Sequence, residues 1–166
     1  MLFAAMFALS ACSVNTNKTS SVKSDSTIQE TSVKAIVQGV IAELSIKDTI
    51  KTGDSVLLKF TVRNLADTAQ QFCKWHTPFE PLMSKYLEIV NEAVVEADYK
   101  GAMAKRIMPP PASSYIKLNS KDTLSANVDL LKGFAITKPG KYTVTYVGQN
   151  MSGLVVNKSI SFVYLK

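Results

Sequence analysis

The sequence predicts an all-β, immunoglobulin-like antiparallel β-sandwich, preceded by a signal peptide and a disordered tether. Apolar and polar residues alternate with a period of two along several short segments, which is the pattern of half-buried strands. Turn-forming residues separate these segments at intervals of about ten residues, and no segment keeps a helical period beyond about two turns. Evenly spaced short strands are typical of two packed sheets rather than of alternating strands and helices.

The clearest predicted strands are 56–63 and 142–146, where apolar side chains occupy every second position. Further strands are expected at 33–46, 70–75, 86–90, 115–118, 124–130 and 159–164, with turns at 52–54, 119–122 and 139–141. Two proline-containing segments, 78–83 and 108–111, are expected to be a connection and a rigid edge segment, because proline cannot donate a ladder hydrogen bond. Gly140-Lys141-Tyr142 resembles the tyrosine corner that opens a late strand in such sandwiches.

The N-terminus predicts export and lipidation. Met1–Ala11 is apolar and uncharged, and it is shorter than the roughly 20 residues that a membrane-spanning helix needs. This pattern predicts a secretory signal peptide over residues 1–11. Leu9-Ser10-Ala11-Cys12 resembles the lipobox of bacterial lipoproteins, and the resemblance implies a diacylglyceryl group on the Cys12 thiol.

Residues 12–32 are expected to form a flexible tether from the lipidated Cys12, because they are almost all Ser, Thr, Asn, Lys, Asp and Gln. Residues 33–166 then form the β-sandwich domain. Because Ser13 is not Asp, resemblance to enterobacterial sorting implies the outer membrane, with the domain facing the periplasm or the surface. The expected location is therefore the cell envelope, through the lipid anchor.

Charge and cysteine content restrict the partners. The chain has a net charge of +6, and its basic residues are scattered rather than clustered. This favours anionic lipid or an acidic protein face, and no nucleic-acid partner is expected because there is no basic stripe with interleaved aromatics. If Cys12 carries lipid, Cys73 has no thiol left to pair with, so no intramolecular disulfide is expected.

The residues give little support for catalysis. His76 is the single histidine, which excludes a zinc protease site with two histidines. Cys73 and His76 are three residues apart, so on a strand they point to opposite faces. We therefore expect no enzyme and no cofactor. Copper binding by Cys73, His76 and Met83 is an alternative, since these are soft ligands for Cu(I), although no closely spaced ligand pair supports it.

Trp75 lies at the end of a predicted strand. A tryptophan there is more often a core residue that closes the end of the sandwich than an exposed aromatic that binds a partner. Both interpretations stay open from the sequence.

The middle of the chain resembles the N-terminal module of deuterolysin-like, peptidyl-Lys metalloendopeptidases. The similarity runs through Val62–Leu65 and Phe72–Glu80, where K-W-x-T-P-x-E is its most specific part. It continues in order through 87–90, 99–101, 105–106, 109, 115–118, 128–130 and 139–146. The resemblance implies a prodomain-like sandwich without the catalytic HExxH domain, so no catalytic residue carries over.

The leading hypothesis is a non-catalytic, membrane-anchored lipoprotein that binds a protein partner, such as a secreted metalloprotease that it inhibits or helps to fold. Lys100, Lys105 and Arg106, in an expected exposed connection, and Trp75 are the candidate contact residues. The alternative for Lys105 and Arg106 is that they are simply two solvated cations of the loop. A structural or envelope-stress lipoprotein domain is the second hypothesis, and a copper-binding periplasmic module is the third.

Overall fold

A computed structural model describes residues 37–166. The predicted signal peptide, the lipidation site Cys12, the tether and the expected first strand residues from Val33 lie outside the described residues. The strands are β1 Val40–Ser45, β2 Thr49–Lys51, β3 Leu57–Asn64, β4 Gln70–Cys73, β5 Leu87–Asn91, β6 Tyr115–Leu118, β7 Thr123–Asp129, β8 Gly140–Tyr146 and β9 Ile160–Leu165. A four-residue helix, α1 Gln149–Ser152, and two 3-10 turns, Ala112–Ser114 and Leu130–Lys132, complete the elements.

The strands form the predicted immunoglobulin-like sandwich. One sheet has the order β1-β3-β7, the second has the order β2-β9-β8-β5, and β4 pairs with β6. All pairings are antiparallel except that of β2 with β9, which is parallel. The three-residue β2 was not predicted from sequence, because a strand of that length shows no periodicity.

The core lies between the two larger sheets and follows the predicted alternation. In β3, Leu58, Phe60 and Val62 are fully buried, whereas Leu57 is 54% exposed. Across the interface, the ring of Phe60 lies 5.3 Å from that of Tyr146 in β8. Burying each such side chain contributes about 1.5–3 kcal/mol, so these strands supply much of the stabilising free energy.

The predicted tyrosine corner is present. The Tyr142 hydroxyl donates to the Lys138 carbonyl oxygen at 2.7 Å, four residues upstream. The Tyr142 ring stacks on Phe162 of β9, with 5.5 Å between ring centroids and an interplanar angle of 17°. The hydroxyl therefore fixes the segment that enters β8 while the ring contributes to the core.

The fully buried Asn64 ends β3 and organises the adjacent connections. Its side-chain amide group donates to the carbonyl oxygens of Thr68, Leu118 and Asn119 at 2.8–3.1 Å, and its side-chain oxygen accepts from the Ala66 N–H at 3.0 Å. One side chain thus links the β3–β4 connection to the end of β6. The sequence indicated only that Asn64 ends a strand, because its partners are up to 55 residues away.

No helix in the described part of the chain is long and apolar enough to cross a membrane.

We predict that Asn64→Ala lowers the free energy of unfolding by about 1–3 kcal/mol, because the buried Leu118 carbonyl oxygen loses its side-chain partner while the part-buried groups that Asn64 bonds become accessible to water. Urea unfolding measures this change. Asn127→Ala, on an exposed position of β7, is the matched control and should alter stability by less than about 0.5 kcal/mol. An Asn64→Ala loss as small as that of the control would contradict the role given to Asn64.

Candidate functional site

The segment Lys74–Glu80, which holds the K-W-x-T-P-x-E motif, forms a tight turn after β4. The Thr77 hydroxyl donates to the Lys74 carbonyl oxygen at 2.5 Å and accepts from the Phe79 N–H at 3.2 Å. His76 has a φ of 60°, in the left-handed region that non-glycine residues rarely adopt. The side chain of Thr77 therefore stabilises a turn that the backbone alone disfavours.

The carboxylate of Glu80 connects this turn to a distant loop. Its Oε1 accepts from the His76 N–H at 3.0 Å and from Nη2 of Arg106 at 2.6 Å. The side chains of Arg106 and Glu80 are only 16% and 6% exposed. Removing one partner of such a shielded, hydrogen-bonded ion pair is strongly destabilising, because the other charge is then left buried without a partner.

Trp75 is buried, with 7% of its surface exposed, which agrees with a core tryptophan at a strand end. The burial contradicts the choice of Trp75 as a contact residue for a partner, because its ring is not presented at the surface. The guanidinium carbon of Arg106 lies 4.7 Å from the centroid of the Trp75 ring, within cation–π range. Arg106 thus covers Trp75 while it pairs with Glu80. The exposed position expected for Arg106 is wrong, because Nη2 of its guanidinium pairs inside the fold with a carboxylate 26 residues away. Its Nε is buried and has no hydrogen-bond partner within the described residues.

The first half of the Tyr99–Pro111 loop, which lies between β5 and β6, is attached to the rest of the domain. The Lys100 N–H donates to the Gly133 carbonyl oxygen at 2.7 Å, and the Ala104 N–H donates to the Met83 carbonyl oxygen at 2.8 Å. The Tyr99 ring packs edge-on against Phe134 at 5.2 Å. These contacts hold the path of the loop close to the sandwich surface.

The same loop carries the exposed side chains of the region. Lys100 and Lys105 are exposed, as the sequence predicted. Met103, Ile107 and Met108 are 73%, 82% and 59% exposed, a concentration of large apolar side chains that solvated loops rarely show. Lys105 is two residues from Met103 and two residues from Ile107 in the sequence, and Arg106 beside it faces inward.

The residues of the copper alternative lie on β4 and on the connections that follow it. Cys73 is fully buried as a free thiol in β4, and His76 and Met83 are partly buried in the connections that follow. Among residues 37–166, no group of three or more His, Cys, Asp and Glu side chains could hold a metal ion. The hypothesis of copper binding gains no support from this arrangement.

Two buried tyrosines near the turn differ in their hydrogen bonding. The Tyr146 hydroxyl donates to the His76 carbonyl oxygen at 2.9 Å and bonds the Ser152 hydroxyl at 2.7 Å. The Tyr86 hydroxyl is buried and has no hydrogen-bond partner within the described residues. Burial raises the pKa of both phenols, and at Tyr146 the hydrogen bond with Ser152 partly offsets this effect.

Sequence reasoning missed the roles of Glu80, Tyr146 and Gly148. A Cβ at Gly148 would lie 2.5 Å from the His76 carbonyl oxygen, so only glycine lets α1 approach the turn. The only feature of the sequence that singles out Glu80 is its place in the K-W-x-T-P-x-E motif, five residues after Trp75. No pattern in the sequence pairs it with Arg106.

Comparisons with known proteins give only distant structural similarities. No protein-family model and no curated protein matches it. Among solved structures, the CARDB domain of the PF1109 protein from Pyrococcus furiosus, in complex with di-metal ions, is 12% identical, with coverage of 76% of this chain and 87% of that one and a TM-score of 0.37. A PapD-like domain of human CEP192 is 13% identical, with coverages of 74% and 84% and a TM-score of 0.30.

A third structure, the alkylpurine DNA glycosylase AlkC of Pseudomonas fluorescens bound to DNA, is 14% identical and has a TM-score of 0.36. The alignment covers 77% of this chain and 31% of the glycosylase. Similarities this low say nothing about ligands or activity, so the strand pairing described above carries the fold assignment.

We predict opposite results for two phenylalanine substitutions. Tyr146→Phe removes a hydroxyl with two partners and should lower the free energy of unfolding by about 1–3 kcal/mol at neutral pH. Tyr86→Phe removes a hydroxyl without a partner and should leave stability unchanged or raise it. Equal losses in urea unfolding would contradict this assignment.

The same phenols predict alkaline sensitivity. Their folded pKa values lie above the unfolded value of about 10, so above that pH the unfolded state releases protons that the folded state retains. Stability should therefore be unaffected by these groups below about pH 10 and should fall above it. Either phenylalanine variant should reduce the slope of this fall, which urea unfolding at a series of alkaline pH values measures.

Proposed function

We propose that this protein is a non-catalytic lipoprotein of the bacterial cell envelope, held through lipid on Cys12, whose Tyr99–Pro111 loop binds a protein partner. The partner proposed is a secreted Lys-selective metalloprotease that the domain inhibits or helps to fold. The resemblance of Phe72–Glu80 to the N-terminal module of peptidyl-Lys metalloendopeptidases supports this class of partner. The observation that carries the proposal is the presentation of Lys105.

Lys105 is exposed between two anchored residues. On one side the Ala104 backbone is fixed to Met83, and on the other the Arg106 side chain is fixed to Glu80. A loop that is already ordered loses little conformational entropy when it binds. Lys105 is therefore the cation of this loop best placed to enter a specificity pocket.

The surroundings of Lys105 also fit a protein interface. Met103, Ile107 and Met108 give the loop an exposed apolar surface, and methionine is enriched at protein interfaces. The ammonium of Lys105 would pair with an acidic group in the pocket of a Lys-selective enzyme, where burial strengthens the pair. Apolar contact and one central charge together supply both affinity and selectivity.

We predict that Lys105→Ala weakens inhibition of a deuterolysin-like peptidyl-Lys metalloendopeptidase at least tenfold, about 1.4 kcal/mol. The inhibition constant is measured with the full chain. Lys117→Ala, an exposed lysine on β6, is the matched control and should change nothing. Wild-type protein that neither inhibits this enzyme nor raises its refolding yield would contradict the proposal and favour a structural envelope domain.

A second variant separates the charge of Lys105 from the order of the loop. Glu80→Gln keeps the size of the side chain but leaves the Arg106 guanidinium without its carboxylate. Inhibition should weaken although Lys105 is intact, and the Ala104 amide should exchange its hydrogen faster. Unchanged inhibition with faster exchange would show that anchoring of the loop is not required.

We predict that Cys12→Ser moves the protein from the membrane fraction to the soluble envelope fraction when the full chain is expressed in a bacterium, because the diacylglyceryl group can no longer be attached. Fractionation and labelling with radioactive palmitate measure the change. Cys73→Ala, which removes the other thiol, should remain in the membrane fraction. Equal membrane retention of Cys12→Ser and wild type would exclude the proposed anchor.

A further inference from the structure

The outer edge of β1 is unpaired within the described residues. β1 lies at the end of its sheet and pairs only with β3. An edge strand with free N–H and C=O groups is a template for another extended chain, and natural proteins usually protect such an edge. Charged residues, Lys above all, or Pro often serve this purpose; β1 has neither Lys nor Pro, and its one charged residue, Glu43, pairs with Arg63 of β3 at 3.5 Å.

The hydrogen-bond pattern shows which groups of β1 are free. The Leu65 N–H donates to the Gly39 carbonyl oxygen, and the Asn64 N–H donates away from β1, to Asp122. In an antiparallel pair, hydrogen-bonded and non-hydrogen-bonded positions alternate. With Ala42 opposite Val62 and Leu44 opposite Phe60, the N–H and C=O groups of Ala42 and Leu44 therefore point away from β3.

A second segment whose backbone N–H groups make no hydrogen bond lines the same groove as this edge. Residues 154–159, between α1 and β9, have no regular secondary structure. The N–H groups of Val155, Val156, Asn157 and Lys158 make no hydrogen bond within residues 37–166. Between this segment and β1 lies an open groove of about 380 Å³, lined by Ile41–Leu44 and Val156–Ile160.

We propose that this groove, here called the β1 groove, binds an extended segment of a partner polypeptide by strand addition. The β1 wall offers the outward N–H and C=O groups of Ala42 and Leu44, and another polypeptide backbone is the ligand that can satisfy such a row, because an extended chain has a repeat of about 3.3 Å per residue. Ile41, Val156 and Ile160 are partly buried and supply apolar contact. The site is distinct from the Tyr99–Pro111 loop and does not depend on its function.

The groove also indicates the chemistry of its ligand. The exposed residues Glu43 and Lys158 line opposite walls and carry opposite charges, so the groove has no net preference for a charged segment. The groove therefore recognises mainly the backbone of the bound segment and its small apolar side chains at alternate positions. We therefore expect a proline-free segment of the partner, with alternating small apolar and uncharged polar residues.

The test uses the full chain and a fluorescent octapeptide of alternating valine and threonine. Fluorescence anisotropy should show saturable binding, and NMR-detected exchange should slow at the amides of Ala42 and Leu44. Ala42→Pro removes one outward N–H without removing a β1–β3 hydrogen bond, and should weaken binding at least about tenfold. Asn127→Pro removes the corresponding outward N–H at the β7 edge of the same sheet, and should leave binding unchanged.

If circular dichroism shows that Ala42→Pro does not fold, Asn157→Trp replaces it. This substitution, at an exposed position of the wall, fills the groove and should weaken binding in the same way.

Absence of peptide binding would overturn the proposal, as would binding that leaves the Ala42 and Leu44 amides exchanging at the same rate. Protection of these amides without peptide would also overturn it. Concentration-independent protection would assign the groove to the residues before Val37, and concentration-dependent protection would assign it to a second copy. Groove variants should not change protease inhibition, so the two proposals can fail separately.

Discussion

The buried side-chain amide of Asn64 is the interaction on which the arrangement of the connections depends. It satisfies backbone groups from the β3–β4 connection and from the end of β6, in a part of the fold where the ladders supply no partners. A buried polar group left without a partner would cost about 1–3 kcal/mol, so the strands on either side are held in one register. In the described domain, where Cys73 is a free thiol, this network cross-links distant segments.

A second polar centre, Glu80, orders the other end of the domain. Its carboxylate joins the tight turn after β4 to Arg106, whose guanidinium covers the Trp75 ring. Because Arg106 is turned inward, Lys105 beside it is turned outward. The K-W-x-T-P-x-E motif is therefore a structural element whose effect is to present a different residue to solvent.

The two surfaces for which we propose partners are built in different ways. The Tyr99–Pro111 loop offers side chains on an anchored backbone, whereas the β1 groove offers the backbone itself. Side-chain recognition can select one partner, and backbone recognition accepts many sequences of one conformation. A domain with both surfaces would bind one partner through specific side-chain contacts and a second, extended segment through its backbone.

The sequence by itself determined the fold class and nearly all the strands, because alternation of apolar residues is local and reports directly which face of a strand is buried. It also determined the tyrosine corner, in which donor and acceptor are four residues apart. The short β2, the partners of Asn64 and the pairing of Glu80 with Arg106 were decided by the tertiary structure alone. Each of these features brings together residues that are far apart in the sequence, so no local periodicity predicts it. Whether Arg106 or Lys105 faces solvent depends on the Glu80 carboxylate, which lies beside Arg106 only in the folded chain.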